Sequence, residues 1–230
     1  MTENNGKTAV VIVAAGSGSR YGSELPKQFC LLEGEPVVVH AIRRFHQSVP
    51  FAQIIVVVAA DRKEFWENLS RENNIDYTQT AIGGKTRWES VRNALEMIDD
   101  STETLLIHDG ARPLVESEVI YRLLDAIKGG AEGALPVMPM VDSLRKLTEK
   151  GSMAVDRSLY QAVQTPQAFS AALLKSAYRL PYSPVMTDDA SVMENAGHMK
   201  MALVDGSEKT LKITRPIDME AASFYLRTSD

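Results

Sequence analysis

Five short apolar runs rich in valine and isoleucine leave this chain few folds to choose from: TAVVIVAA (8–15), QIIVVVAA (53–60), TLLIHD (104–109), GALPVM (133–138) and KMALV (200–204). None keeps the apolar–polar alternation of a strand with one wet face, so each reads as a strand covered on both sides, as in a parallel sheet. Between the runs, apolar residues recur at spacings of three and four in PVVVHAIRRFHQS (36–48), DRKEFWENLSREN (61–73), TRWESVRNALEMI (86–98), ESEVIYRLLDAIKG (116–129), SAALLKSAYRL (170–180) and PIDMEAASFYLRT (216–228). Such spacings predict helices, with Pro36 in a first turn and Asp61 or Ser170 placed to cap one. Strand and helix alternate, so the class is α/β, with ligand loops expected at the carboxyl ends of the strands. With 230 residues, 44% of them hydrophobic, and no repeat, low-complexity tract or linker, the simplest organisation is a single domain over residues 1–230.

One stretch departs from the alternation. VDSLRKLTEKGSMAVDRSLYQAVQTPQAF (141–169) reads as two short polar strands around a TEKGS turn, then an extended segment containing a proline. It predicts a hairpin arm at about 139–166. An isolated hairpin is marginal in water, so the arm should lie against the same body or against a second subunit.

Charge and cysteine content exclude several function classes. A net charge of −5 argues against broad, sequence-independent nucleic-acid binding, which needs a strongly basic face. The single cysteine, Cys30, permits no internal disulfide and no cysteine zinc site, which fits a reducing compartment, and it reads as a core residue. MTENNGKTAV at the start has no apolar signal region, and no stretch approaches the ~20 apolar residues of a membrane span. A cytoplasmic protein without a membrane or nucleic-acid partner is expected.

The first strand runs into a glycine-rich turn, VVIVAAGSGSRYGSELPKQF (10–29). A dinucleotide fingerprint would place a third glycine where Tyr21 stands, and Gly22 comes one residue late. A Walker A loop would have four residues between its glycines, but five separate Gly16 from Gly22, and no Gly-Lys pair follows. What remains is a run of small residues whose backbone can approach phosphates closely, followed by Arg20 and Lys27. Two cations on a phosphate loop suit a polyphosphate that is cleaved as well as bound, because charge builds up during phosphoryl or nucleotidyl transfer.

AAGSGSRYGSELPKQF, GGKTRWESV, HDGARPLV, VDRSLYQAVQTPQAF, TDDAS and LKITRPIDM occur in the order found in the 2-C-methyl-D-erythritol 4-phosphate cytidylyltransferase family, which the chain resembles from about residue 8 to 222. The resemblance implies a Rossmann-like, mostly parallel sheet flanked by helices, of the GT-A-like nucleotidyltransferase kind. It implies an enzyme that joins CTP to methylerythritol phosphate with Mg²⁺, the ion being held mainly by the CTP phosphates. It also implies a homodimer formed through the arm.

Residue by residue, the resemblance implies that the backbone of Ala14, Ala15, Gly16 and Gly18 cradles the triphosphate while Arg20, Lys27 and Lys212 stabilise the transition state. Gly83, Gly84 and Ser90 would contact the cytosine side. Lys85 stands where some relatives carry an acidic residue, and Arg87 is a further contact or a scaffold cation. Asp109 and Arg112 would hold the acceptor, with Ser143, Thr165 and Thr187 as further contacts and Arg157 positioning its phosphate. Ser143 and Arg145 replace the family's usual threonine and lysine, and Thr210 replaces a usual asparagine near Lys212. The four histidines read as structural or exposed, and Met138, Met140, Met193, Met199 and Met201 as core fillers. Two other readings stay open: a cytidylyltransferase for another polyol phosphate such as ribitol 5-phosphate, and a noncatalytic CTP-binding module on the same fold.

Overall fold

The computed structural model describes residues 8–16 and 25–228. In chain order its elements are β1 (Thr8–Val13), β2 (Leu31–Leu32), β3 (Glu35–Pro36), α1 (Val37–Ser48), β4 (Gln53–Val58), α2 (Lys63–Glu72), β5 (Gln79–Ile82), α3 (Arg87–Leu95) and β6 (Thr104–Asp109). There follow α4 (Ser117–Lys128), β7 (Gly133–Pro139), β8 (Arg145–Thr148), β9 (Gly151–Ala154), β10 (Gln161–Val163), β11 (Gln167–Ser170), α5 (Ala171–Ala177), α6 (Asp189–Asn195), β12 (Met201–Asp205) and α7 (Pro216–Arg227).

The main sheet has the order β10-β7-β11-β6-β1-β4-β5, with β12 beside β7. Strands β5, β4, β1 and β6 run parallel, as do β7 and β12. β11 lies antiparallel between β6 and β7. The sheet is therefore mixed but mostly parallel, as the apolar runs predict. Successive residues of its central strands enter opposite cores. Val11, Ile55, Val57, Leu105 and Ile107 pack with Trp88, Val91 and Ala94 of α3, Leu174 of α5 and Val192 of α6. Val10, Ile12, Ile54, Val56 and Leu106 pack with Val38, Ile42 and Phe45 of α1, Trp66 of α2 and Ile120 of α4. Both faces are covered, which is why the strands lack a polar alternation.

All five runs become strands and all six helical segments become helices. The hairpin forms as β8 and β9, an antiparallel pair whose residues are all exposed, but it is shorter than the expected 139–166, since Pro139 ends β7 and Gln161–Val163 pairs with β7 in the main sheet. Five elements, β2, β3, β5, β11 and α6, are not announced by their own residues, the first two being a ladder of two residues each. QTAI and QAFS are too short and mixed to stand out as strands, and DASVMEN makes a helix of only seven residues. Four local expectations need correction. Ser170 occupies the N-cap of α5 without a side-chain capping bond, and Asp61 falls in a 3₁₀ turn ahead of α2. Cys30 is half-buried, and of the five methionines read as core fillers only Met193 is fully buried, Met199 being 72% exposed.

The parallel register sets Val13 beside both Val57 and Asp109. The chain therefore leaves β1, β4, β5 and β6 along one edge of the sheet, and the segments 14–16, 83–86 and 109–112 meet there.

Candidate active site

A cleft of about 500 Å³ opens along that edge. One wall is the start of the glycine loop, where Ala15 and Gly16 face Lys27 and Gln28. Gln28 is 3% exposed, and its amide nitrogen donates to the carbonyls of Ala14 at 2.6 Å and Gly16 at 2.7 Å. A single buried side chain thus ties the outgoing strand to the 3₁₀ turn Lys27–Phe29 that carries Lys27. Ala14 is engaged on both sides, since its N–H also donates to the Val57 carbonyl at 2.8 Å. Its N–H group therefore supports the wall and is taken up before any phosphate arrives.

The second wall is the turn into α3. Thr86 caps the helix by accepting the Glu89 N–H at 3.1 Å, and the Glu89 carboxylate accepts the Lys85 N–H at 2.5 Å. The turn folds so tightly that a Cβ on Gly84 would stand 2.3 Å from the Glu89 Cβ, and one on Gly83 2.6 Å from the Ala15 Cβ. Two glycines in succession are the residues that fit. The Gly83 N–H donates to the Val58 carbonyl at 2.8 Å and the Gly84 N–H to the Ser90 hydroxyl at 3.1 Å. Ser90 in turn donates its proton to the Thr86 carbonyl at 2.9 Å. With these donors taken up, the turn has acceptors left to offer: carbonyl oxygens and a remaining lone pair on Ser90.

The floor is Asp109, at the carboxyl end of β6. Its N–H donates to the Thr165 hydroxyl at 3.0 Å, and the next residue's N–H donates to the Val13 carbonyl at 2.9 Å. Lys212 Nζ donates to Asp109 Oδ2 at 2.8 Å, with Arg112 Nε 3.6 Å from the same oxygen and Arg87 Nε 3.6 Å from Oδ1. Burial alone would raise the Asp109 carboxyl, but the charges of Arg87, Lys212 and Arg112 outweigh it and hold the group well below the usual carboxylate range. Burial lowers the Arg87 guanidinium, and the neighbouring Asp189 and Asp109 more than reverse this, so it stays charged. The Lys212 segment is fixed to the Asp109 loop through backbone groups: Arg112 donates to the Thr210 carbonyl at 2.7 Å, and the Ile213 N–H to the Ala111 carbonyl at 2.8 Å. Threonine in place of asparagine at position 210 therefore leaves the Arg112 anchor intact, since it is the main-chain oxygen that accepts.

Behind the floor, His108 is fully buried. Its Nε2 lies 2.9 Å from the Arg112 carbonyl, which can only accept, so that nitrogen carries the proton. Burial pushes the imidazolium down to about 4, so the ring is neutral, Nδ1 is an acceptor, and the Thr165 hydroxyl donates to it at 3.2 Å.

Of the residues singled out in the sequence, Ala15, Gly16, Lys27, Gly84, Ser90, Asp109 and Lys212 line the cleft. Ala14, Gly83, Arg112 and Thr165 support its walls through the bonds above. Thr187 is exposed just ahead of α6. Ser143 and Arg157 are exposed on the arm, where Arg157 donates to the Val141 carbonyl. Gly18 and Arg20 lie outside the described residues. Sequence reasoning passed over Gln28 and Asp189. The first adjoins Lys27 in PKQF without any local sign of its bonds, and the second stands in TDDAS, quoted as a motif without a role. Among the described residues there is no group of three His, Cys, Asp or Glu side chains able to hold a metal, and no helix long and apolar enough to cross a membrane.

Comparison with known proteins identifies the family. The family model for 2-C-methyl-D-erythritol 4-phosphate cytidylyltransferase matches residues 8–228. A protein of that name from Bacteroides fragilis is 44% identical over 218 residues, covering 94% of this chain and 98% of its own. Another from Bacteroides thetaiotaomicron is 40% identical, covering 96% of this chain and all of its own. The crystal structure of 2-C-methyl-D-erythritol 4-phosphate cytidylyltransferase from Thermus thermophilus superposes with a TM-score of 0.76 at 28% identity, covering 96% of this chain and 98% of that one.

Proposed function

Because the chain belongs to the 2-C-methyl-D-erythritol 4-phosphate cytidylyltransferase family, we propose that this cleft is where it joins CTP to methylerythritol phosphate, giving 4-CDP-2-C-methyl-D-erythritol and pyrophosphate. The protein is a nucleotidyltransferase of the non-mevalonate isoprenoid pathway. The observation that carries the assignment to this cleft is the meeting of Lys27, Lys212 and Asp109 with the Gly84–Ser90 turn in a single cavity.

A phosphate oxygen of the acceptor attacks the α-phosphorus of CTP in line with the departing pyrophosphate, so no protein nucleophile is required. The chain's task is to align two anions and to absorb the charge that develops between them. We assign the absorption of that charge to Lys27, on the glycine-loop wall, and Lys212, on the floor beside Asp109, with Arg20 and Gly18 added by family resemblance. The acceptors left by Gly83, Gly84 and Ser90 match the 4-amino group of cytosine and oppose the 4-oxygen of uracil. Asp109 and Arg112 face the acceptor side, with Thr165 behind them and Thr187 nearby. Arg157 and Ser143 lie on the arm, which we take to reach the site of a second subunit in a homodimer.

The donor set of the cleft fits a divalent ion carried mainly by phosphate oxygens, because the Asp109 carboxylate is already held by three cations. When bound, Mg²⁺ supplies positive charge to the triphosphate. We read the whole chain as one nucleotidyltransferase domain acting in the cytoplasm without a nucleic-acid partner, a reading supported by its single cysteine and its net charge of −5.

The test is pyrophosphate release with CTP, UTP and ATP, each against methylerythritol phosphate and ribitol 5-phosphate. CTP with methylerythritol phosphate should be the productive pair. Turnover only with ribitol 5-phosphate overturns the acceptor assignment, and tight CTP binding without turnover of either acceptor identifies a noncatalytic module.

A further inference from the structure

Arg87 stands at the first residue of α3, one turn before Ser90, on the wall that offers the base its acceptors. Its Nη2 donates to Asp189 Oδ2 at 2.6 Å, and its Nε lies 3.6 Å from Asp109 Oδ1 on the floor. Asp189 is fully buried, and its other oxygen accepts the Tyr178 hydroxyl at 2.6 Å. The helix that carries Asp189 is itself anchored. Gln167 of β11 donates to Asp188 Oδ2 at 2.8 Å and accepts the Ala190 N–H at 3.2 Å, while Asp188 and Ser191 close a capping box at its first turn.

We propose that Arg87, clamped by Asp189, is a positioning residue that holds the acceptor-binding floor at a fixed separation from the base-binding wall. The inference rests on the functional reading above and deepens it. A guanidinium is a planar fork that stays charged, so it can face two carboxylates on two different elements in one rigid geometry, which the point charge of a lysine cannot reproduce. Here it joins α3, α6 and the end of β6 at one group. That junction lies between the two halves of a cleft in which an in-line transfer requires close alignment of attacking and leaving oxygens. An apolar pair of similar volume would hold α3 against α6 as well or better, so packing alone does not call for a buried carboxylate here.

The experiment compares the full-length wild-type enzyme with Arg87→Met, Asp189→Asn, Arg87→Lys and the double variant Arg87→Met/Asp189→Leu. It measures kcat and KM for each substrate by pyrophosphate release, CTP binding without acceptor by calorimetry, and Tm. Arg87→Met should lower kcat by roughly 10- to 100-fold and raise KM for the acceptor, with CTP binding changed little, as expected when reacting groups are displaced by about an ångström. Asp189→Asn, which keeps the Tyr178 bond and the side-chain shape, should lower kcat in the same direction. The double variant removes both charges but leaves the Tyr178 hydroxyl without its acceptor, so it should regain most, not all, of the Tm lost in Arg87→Met while kcat stays low. Recovery of kcat together with Tm in the double variant would show a purely structural pair and overturn the proposal. Wild-type kcat in Asp189→Asn or Arg87→Lys would do the same, since the clamp or the fork would then be dispensable. Absence of turnover in the wild-type enzyme would instead overturn the functional reading on which the proposal stands.

Discussion

At the scale of single residues, the cleft depends on groups whose chemistry is set by their surroundings. His108 has a folded-state pKa of about 4, against an ordinary value near 6.5, because it is buried. The unfolded chain therefore binds a proton more readily than the folded one between these values. Stability is unaffected above about pH 6.5 and falls as pH drops through the window to about 4, by about 3 kcal/mol in all. Chemical denaturation between pH 7 and 4.5 should show this loss in the wild-type protein, and His108→Gln, which keeps a donor for the Arg112 carbonyl, should lack the corresponding slope. Equal slopes in the two proteins would show that the ring is not the group taking up the proton. The sequence made Asp109 and Arg112 legible because charged residues at the end of a buried strand stand out in HDGARP, whereas Lys212 follows a half-exposed strand by seven residues and was legible only through the family resemblance of LKITRP. It hid the bonding of His108, whose partner Thr165 is 57 residues distant, and that of Gln28, whose partners are main-chain carbonyls. Neither arrangement leaves a local pattern.

At the scale of elements, legibility followed length and apolar content. β1, β4 and β6 each place consecutive buried residues in two opposite cores, and that doubled demand is what wrote the runs of valine and isoleucine. β11 and α6 are held in place by strand neighbours and by Gln167, so their own residues need not announce them. The arm was legible from its turn, but its partner was not. β8 and β9 touch water along their whole length, with Leu147 82% and Met153 54% exposed. Strands of four residues that pair only with each other gain little stability in water, so an apolar side chain at such a tip calls for a surface to cover it. In the proposed dimer, Leu147→Lys should weaken association by about 3–6 kcal/mol, because each of two symmetric copies forfeits the burial of one leucine. Sedimentation should show the shift to monomer, with pyrophosphate release falling alongside. A variant that stays monomeric or dimeric as the wild type does, at unchanged activity, would place the arm outside any interface.

At the scale of the whole molecule, the described cleft is rich in groups for the nucleotide and the floor, whereas Arg157 lies on the exposed arm and donates to the Val141 carbonyl of that same arm. In the proposed homodimer, Arg157 would serve the cleft of the second copy. Shared sites have a stoichiometric signature. If each site takes Lys27 from one subunit and Arg157 from the other, then Lys27→Ala and Arg157→Ala homodimers are each defective at both sites. In a mixed dimer, one site collects both defects and the other collects none. Denaturing and refolding an equal mixture of the two variants should therefore restore about a quarter of wild-type activity, since half of the dimers are mixed and each of these has one intact site. Activity no higher than that of the separate variants would show that Lys27 and Arg157 serve a site within one chain, and the arm would then have to fold back onto its own cleft.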